Sequence, residues 1–142
     1  PTMSPCSVSS AASVVYTSQA TDDALWPGIA RAADLIVVAP CCHKQVRPQL
    51  NAHYSAESQT HPLADILKHG VYRERISETV TDSLRALLLE RAGYKVQVFE
   101  FIGGEHTSKN VMITAAKSRP VKNVQGIQEK IRALAAFHGL HL

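Results

Sequence analysis

Thiol, imidazole and ammonium side chains stand in an unbroken row at Cys41, Cys42, His43 and Lys44. Imidazole titrates near neutrality, so His43 or His106 is a candidate to take a proton from an attacking nitrogen or oxygen, and Lys44 a candidate to hold an anionic group. A second row, Glu105, His106, Lys109 and Asn110, sets another imidazole between a carboxylate and an ammonium. Arg73, with Glu74 and Arg75, opens the longest helical pattern and could reach a cleft or simply lie in solvent. Cys41, Cys42, His43, His53 and His61 carry metal-ligand chemistry, but zinc sites separate their ligands by about two to four residues so that each can turn inward, and adjacent Cys-Cys-His does not. No metal is expected. A cysteine nucleophile paired with a histidine needs proximity in space, which adjacency in sequence does not provide. The competing reading is structural: Cys41 and Cys42 as small buried residues at a strand end, and the histidines as loop caps.

These rows need elements to position them. "SVVYTS" (13–18) and "DLIVVAP" (34–40) are short apolar runs, the second stopped by Pro40, and runs of this kind favour a parallel sheet covered on both faces. Between them "TDDALWPGIARAA" reads as a helix, with Thr21 as cap, Asp22 and Asp23 at its positive end and Leu25, Ile29 and Ala32 on one face. Pro27 predicts a kink there, or a helix that starts at Pro27. Strand, helix and strand make a βαβ unit. The polar stretch 41–61 is expected to be loop, and "HPLADILKHG" a short helix broken at Gly70. In "YRERISETVTDSLRALLLERAG" the residues Ile76, Val80, Leu84, Leu87, Leu88 and Ala92 repeat at three and four, which predicts a long helix closed by Gly93. "YKVQVFEFI" alternates and "NVMITAAKS" is strand-like, so the two are predicted to be antiparallel neighbours joined through "GGEHTSK". A last helix with Ile127, Ile131, Leu134 and Ala135 on one face is expected to pack back on the sheet.

The totals bound the answer. A chain of 142 residues suits one domain, placed here at 13–142 behind a flexible segment 1–12. It is 45% hydrophobic and 19% charged, with no run approaching the ~20 apolar residues of a membrane span and no signal-peptide pattern at the N-terminus. A cytoplasmic location is expected. Three cysteines, two of them adjacent, argue for reduced thiols. The net charge of +3 comes from scattered basic residues, which permits a nucleic-acid partner without pointing to one.

Three strings, "LIVVAPCCHKQ" (35–45), "LADILKHGVYRERISETVTDSLRALLLERAGY" (63–94) and "EFIGGEHTSKN" (100–110), together with the order of elements over residues 21 to 118, resemble the C-terminal half of class I, Rossmann-like S-adenosylmethionine-dependent methyltransferases. The resemblance is to a bacterial family with a Pro-Cys-Cys-His segment after a sheet strand and a Glu-His-Thr segment in the final turn. The first segment is also similar to one in RNA-modifying methyltransferases. The resemblance implies an α/β fold: a partial doubly wound sheet of about four strands, the last antiparallel, with flanking helices. It implies S-adenosylmethionine as cofactor, Cys41, Cys42, His43 and Lys44 at the catalytic crevice, and Glu105, His106, Lys109, Asn110 and Arg73 beside the methyl acceptor. The sequence also departs from the family. No early strand ends in a Gly-rich turn for the donor, the first twelve residues hold no glycine, and "YTSQATDD" keeps the Thr-Asp-Asp portion of a longer motif. The resemblance therefore implies an acceptor-side half, inactive in isolation. The alternative is a non-catalytic half-Rossmann binding or oligomerisation module. A strand at 13–18 without its donor-side neighbour exposes a sheet edge, which predicts a homodimer joined edge to edge through Ser13 to Ser18, or a cover supplied by the N-terminal segment or last helix.

Overall fold

A computed structural model describes residues 20–41, 43, 45–56, 60–101 and 110–141. The elements are α1 (Ala20–Ala30), β1 (Leu35–Val38), α2 (Val46–Ala56), α3 (Ala64–Leu67), α4 (Gly70–Arg91), β2 (Tyr94–Glu100), β3 (Val111–Lys117) and α5 (Val124–Phe137). The mixed α/β class read from the sequence holds, and so does the antiparallel pairing of β2 with β3.

Among the described residues the sheet has the order β1-β3-β2, with β3 antiparallel to both neighbours. β1 and β2 therefore run in the same direction with β3 between them. Directly opposed residues share a face: Ile36 and Val96 both face Ala115, and Val38 and Val98 both face Ile113. Part of that inner face packs beneath α1 and α4, where Leu25, Ile36, Leu89, Tyr94, Ile113 and Ala115 form one core cluster, while Val98 is exposed. A second cluster lies on the other side of α4, where Val80 and Leu84 meet Leu50 and Tyr54 of α2, Leu67 of α3, and Ile131 and Ala135 of α5.

Several expectations need correcting. The parallel sheet is not seen: the described strands pair antiparallel, and the strand expected at 13–18 lies outside the described residues. Among the described residues no element covers Leu35, Val37 and Phe99 of the outer face, which are exposed. The loop expected over 41–61 holds α2 instead. Val46, Leu50 and Tyr54 recur at intervals of four in an otherwise polar stretch, and Pro48 falls in the first turn, where no backbone donor is needed. α1 runs through Pro27 rather than starting there, and Thr21 is its second residue, not its cap. Gly70 opens α4 instead of breaking a helix. α5 packs its Ile131 and Ala135 into the α4 cluster rather than onto the sheet. Gly93 closes α4 as expected, at φ +94, with its N–H donating to the Glu90 carbonyl at 3.0 Å. Among the described residues no helix is long and apolar enough to cross a membrane.

Candidate functional site

β1 ends at Val38 and Pro40 turns the chain, leaving Cys41 exposed and His43 buried against α4. The ring of His43 meets Asp82, its Nε2 lying 3.2 and 3.3 Å from the two carboxylate oxygens. A carboxylate accepts, so Nε2 is the donor of this pair. Nδ1 has no hydrogen bond among the described residues, and Glu78 Oε1 stands 4.0 Å from it. Glu78, Asp82 and Arg85 lie at four- and three-residue intervals, so one face of α4 carries all three.

Arg85 extends the chain of charges. Its Nη1 donates to Asp82 Oδ1 at 3.0 Å, while Nε and Nη2 donate to the two oxygens of Asp22 on α1 at 2.8 and 2.7 Å. This is a two-pronged guanidinium–carboxylate pair. Burial works against the charge of Arg85, but the hydrogen bonds and charges of Asp22 and Asp82 outweigh it and raise its pKa above the ordinary value. His43, Asp82, Arg85 and Asp22 thus tie the segment after β1 to α4 and α4 to α1. Arg47 and Glu74, paired at 2.8 Å, continue the same tie towards α2.

Asn110 is at the same end of the sheet. Val38 faces Ile113 and Glu100 faces Val111, so the start of β3 lies at the carboxyl ends of β1 and β2, and the Asn110 carbonyl accepts from the Phe101 N–H at 2.9 Å. Arg73 does not join His43, because its guanidinium lies back over Gly70 at the start of α4. Cys42, Lys44, Glu105, His106 and Lys109 lie outside the described residues. The residues weighed as a metal set divide: His43 goes to Asp82, whereas His53 and His61 join a second cluster. Among the described residues no three such groups are placed to hold a metal. Sequence reading missed Asp82, Arg85 and Glu78. Their signal was a charged stripe at helical spacing on a helix whose neighbouring positions, Ser77 and Thr81, are buried.

The second cluster sits between α2 and the end of α5. Rings of His53, Tyr54, His61, Phe137 and His138 contact one another, with centroids 4.9 to 6.1 Å apart. The Tyr54 hydroxyl is hydrogen-bonded with Nδ1 of His138. Burial pushes the Tyr54 hydroxyl up to about 12. Burial lowers the pKa of His138, and the charges of His61 and His53 lower it further.

A nucleoside-bearing donor needs a glycine cradle at the carboxyl end of a strand. The described glycines serve other ends: Gly28 lets α1 approach Ile36, Gly126 lies in the first turn of α5 against Asn123, and Gly93 and Gly139 close helices. The described residues do not fit S-adenosylmethionine. Comparison with protein-family models, with curated proteins and with solved structures gave no match for this chain.

Proposed function

We propose that this chain is the acceptor-side half of a Rossmann-like, class I methyltransferase-type domain, which by itself binds a polar acceptor and transfers no methyl group. The observation that supports this most is directional. The helical crossover from β1 through α2, α3 and α4 returns to β2 in the same direction as β1, and the last strand enters antiparallel between them, as the final strand of the resembling family is antiparallel. The carboxyl end of that sheet carries Cys41, His43 and Asn110, where open α/β sheets place their ligands. The Pro-Cys-Cys-His string makes RNA a candidate acceptor. On this reading S-adenosylmethionine is held by a partner that supplies the donor site, not by this chain.

The reading makes a structural demand. α1 begins at the carboxyl end of β1, where Asp22 meets Arg85, and β3 occupies one edge of β1. A right-handed crossover then sets a preceding strand, 13–18, parallel to β1 on its other edge. Nuclear Overhauser contacts should show parallel pairing of 13–18 with 35–38, either within one chain or across a second copy. Calorimetric titration of the chain with S-adenosylmethionine should give no saturable heat. Antiparallel or absent pairing, or tight donor binding, would sink the proposal.

One observation favours the second reading, a non-catalytic binding or oligomerisation module. His43 has a carboxylate near each ring nitrogen, Asp82 and Glu78, which suits a clamp between elements. Under this reading Asp82→Asn lowers stability and leaves acceptor binding in place.

A further inference from the structure

Among the described residues, an exposed apolar hollow lies between α1 and α4. α1 and α4 leave between them a groove of about 310 Å³, walled by Leu25, Trp26, Ile29, Leu88 and Leu89 and bounded by Asp22, Arg85 and Arg91. Trp26 is the sole tryptophan of the chain and stands on the rim 72% exposed, with Leu88 at 38%. An exposed indole beside an apolar hollow is the composition of an interface core, because the ring carries a large apolar area and loses little freedom when it is buried.

The charges at the groove ends say what fits. α1 and α4 run in the same direction, since each leads into one of the co-directional strands β1 and β2; Asp22 meets Arg85 at one end of the groove, and Ile29 and Ala92 line the other. Seven residues separate these ends on each helix, about 10 Å at ~1.5 Å per residue. Asp22 and the exposed Asp23 mark the first end, and the exposed Arg91 marks the second. A two-fold axis crossing the helices reverses the ends. It brings Arg91 of one copy to the acidic end of the other and sets two Trp26 rings together over the apolar floor, a self-complementary patch of the kind a two-fold contact requires.

We infer that the α1–α4 face is where a second copy of this chain docks, with Trp26 as the anchor. The inference does not depend on the methyltransferase-like reading, and it places the contact on helices rather than on a sheet edge.

Sedimentation from about 1 μM to about 1 mM covers the affinities expected of a small patch. A monomer–dimer equilibrium is expected, with Trp26 emission shifting to the blue as concentration rises. Trp26→Ala should weaken the dimer at least about tenfold, and its thermal unfolding should stay near that of the parent, because the ring is on the surface. Asp23→Arg and Arg91→Glu should each weaken the dimer, and an equimolar mixture of the two should restore association. A monomer at every concentration, a dimer untouched by Trp26→Ala, or emission already blue and independent of dilution would each overturn the inference. The last result would mean that the chain's own remainder or a bound apolar molecule fills the groove.

Discussion

At the residue scale, the buried charges decide most. Side chains of His43, Asp82 and Arg85 are 6%, 9% and 5% exposed, so removing Arg85 leaves the Asp82 carboxylate buried without its cationic partner. Arg85→Ala is expected to lower unfolding free energy by about 3–5 kcal/mol, read by urea denaturation. Asp22→Asn should cost less than ~1 kcal/mol, because its carboxylate is 59% exposed and water screens the lost charge. The Tyr54–His138 pair makes stability depend on pH at both ends. His138 binds its proton more weakly folded than unfolded, so its contribution is complete above the ordinary 6.5 and shrinks as pH falls below it. Tyr54 keeps its proton to about 12 when folded but to 10.0 when unfolded, so its contribution shrinks as pH rises past 10. Denaturation midpoints measured from pH 5 to 11 should form a plateau with both shoulders, and in His138→Gln the acid shoulder should flatten.

At the element scale, helix ends carry predictions that core burial does not. Gly139 lies just past α5 at φ +63, and a Cβ there would run into the ring of His53. Gly139→Ala combines a strained backbone with a clash, and a loss of about 2 kcal/mol or more is expected in thermal unfolding, against about 1 kcal/mol for removing the α5 cap with Asn123→Ala. The cap holds the Gly126 N–H at 2.8 Å within the first turn of α5, at the opposite end of that helix from His138, so its loss should leave the His53 cluster intact by NMR. α2 depends on Leu50, which is wholly buried, and Leu50→Ala should cost about 2–5 kcal/mol.

At the scale of the whole molecule, α4 is the spine. It separates two apolar clusters, presents Asp82 and Arg85 to the segment after β1, and supplies one wall of the Trp26 groove. Sheet face, charge network and groove therefore share one helix. Because they do, the clamp and the surface can be tested apart: a variant at Arg85 should move stability, whereas a variant at Trp26 should move association with little change in stability.

The amino-acid sequence determined what is local. The three-and-four spacing from Ile76 to Ala92, the stop at Gly93, and the alternation that pairs β2 with β3 follow from helix and strand periods within single segments. It pointed to His43 as a site residue, because imidazole at the end of a sheet strand is a chemical signal that needs no partner to be noticed. Partners were another matter. His43 meets Asp82 across 39 positions, Arg85 meets Asp22 across 63, and Tyr54 meets His138 across 84. No periodicity records such meetings; they arise when helices pack on a sheet in one arrangement. The stripe of α2 was legible only after α4 and α5 supplied the surface that buries Leu50 and Tyr54. Among the described residues, Leu35, Val37 and Phe99 of the outer sheet face are exposed, which the apolar runs in β1 and β2 could not announce.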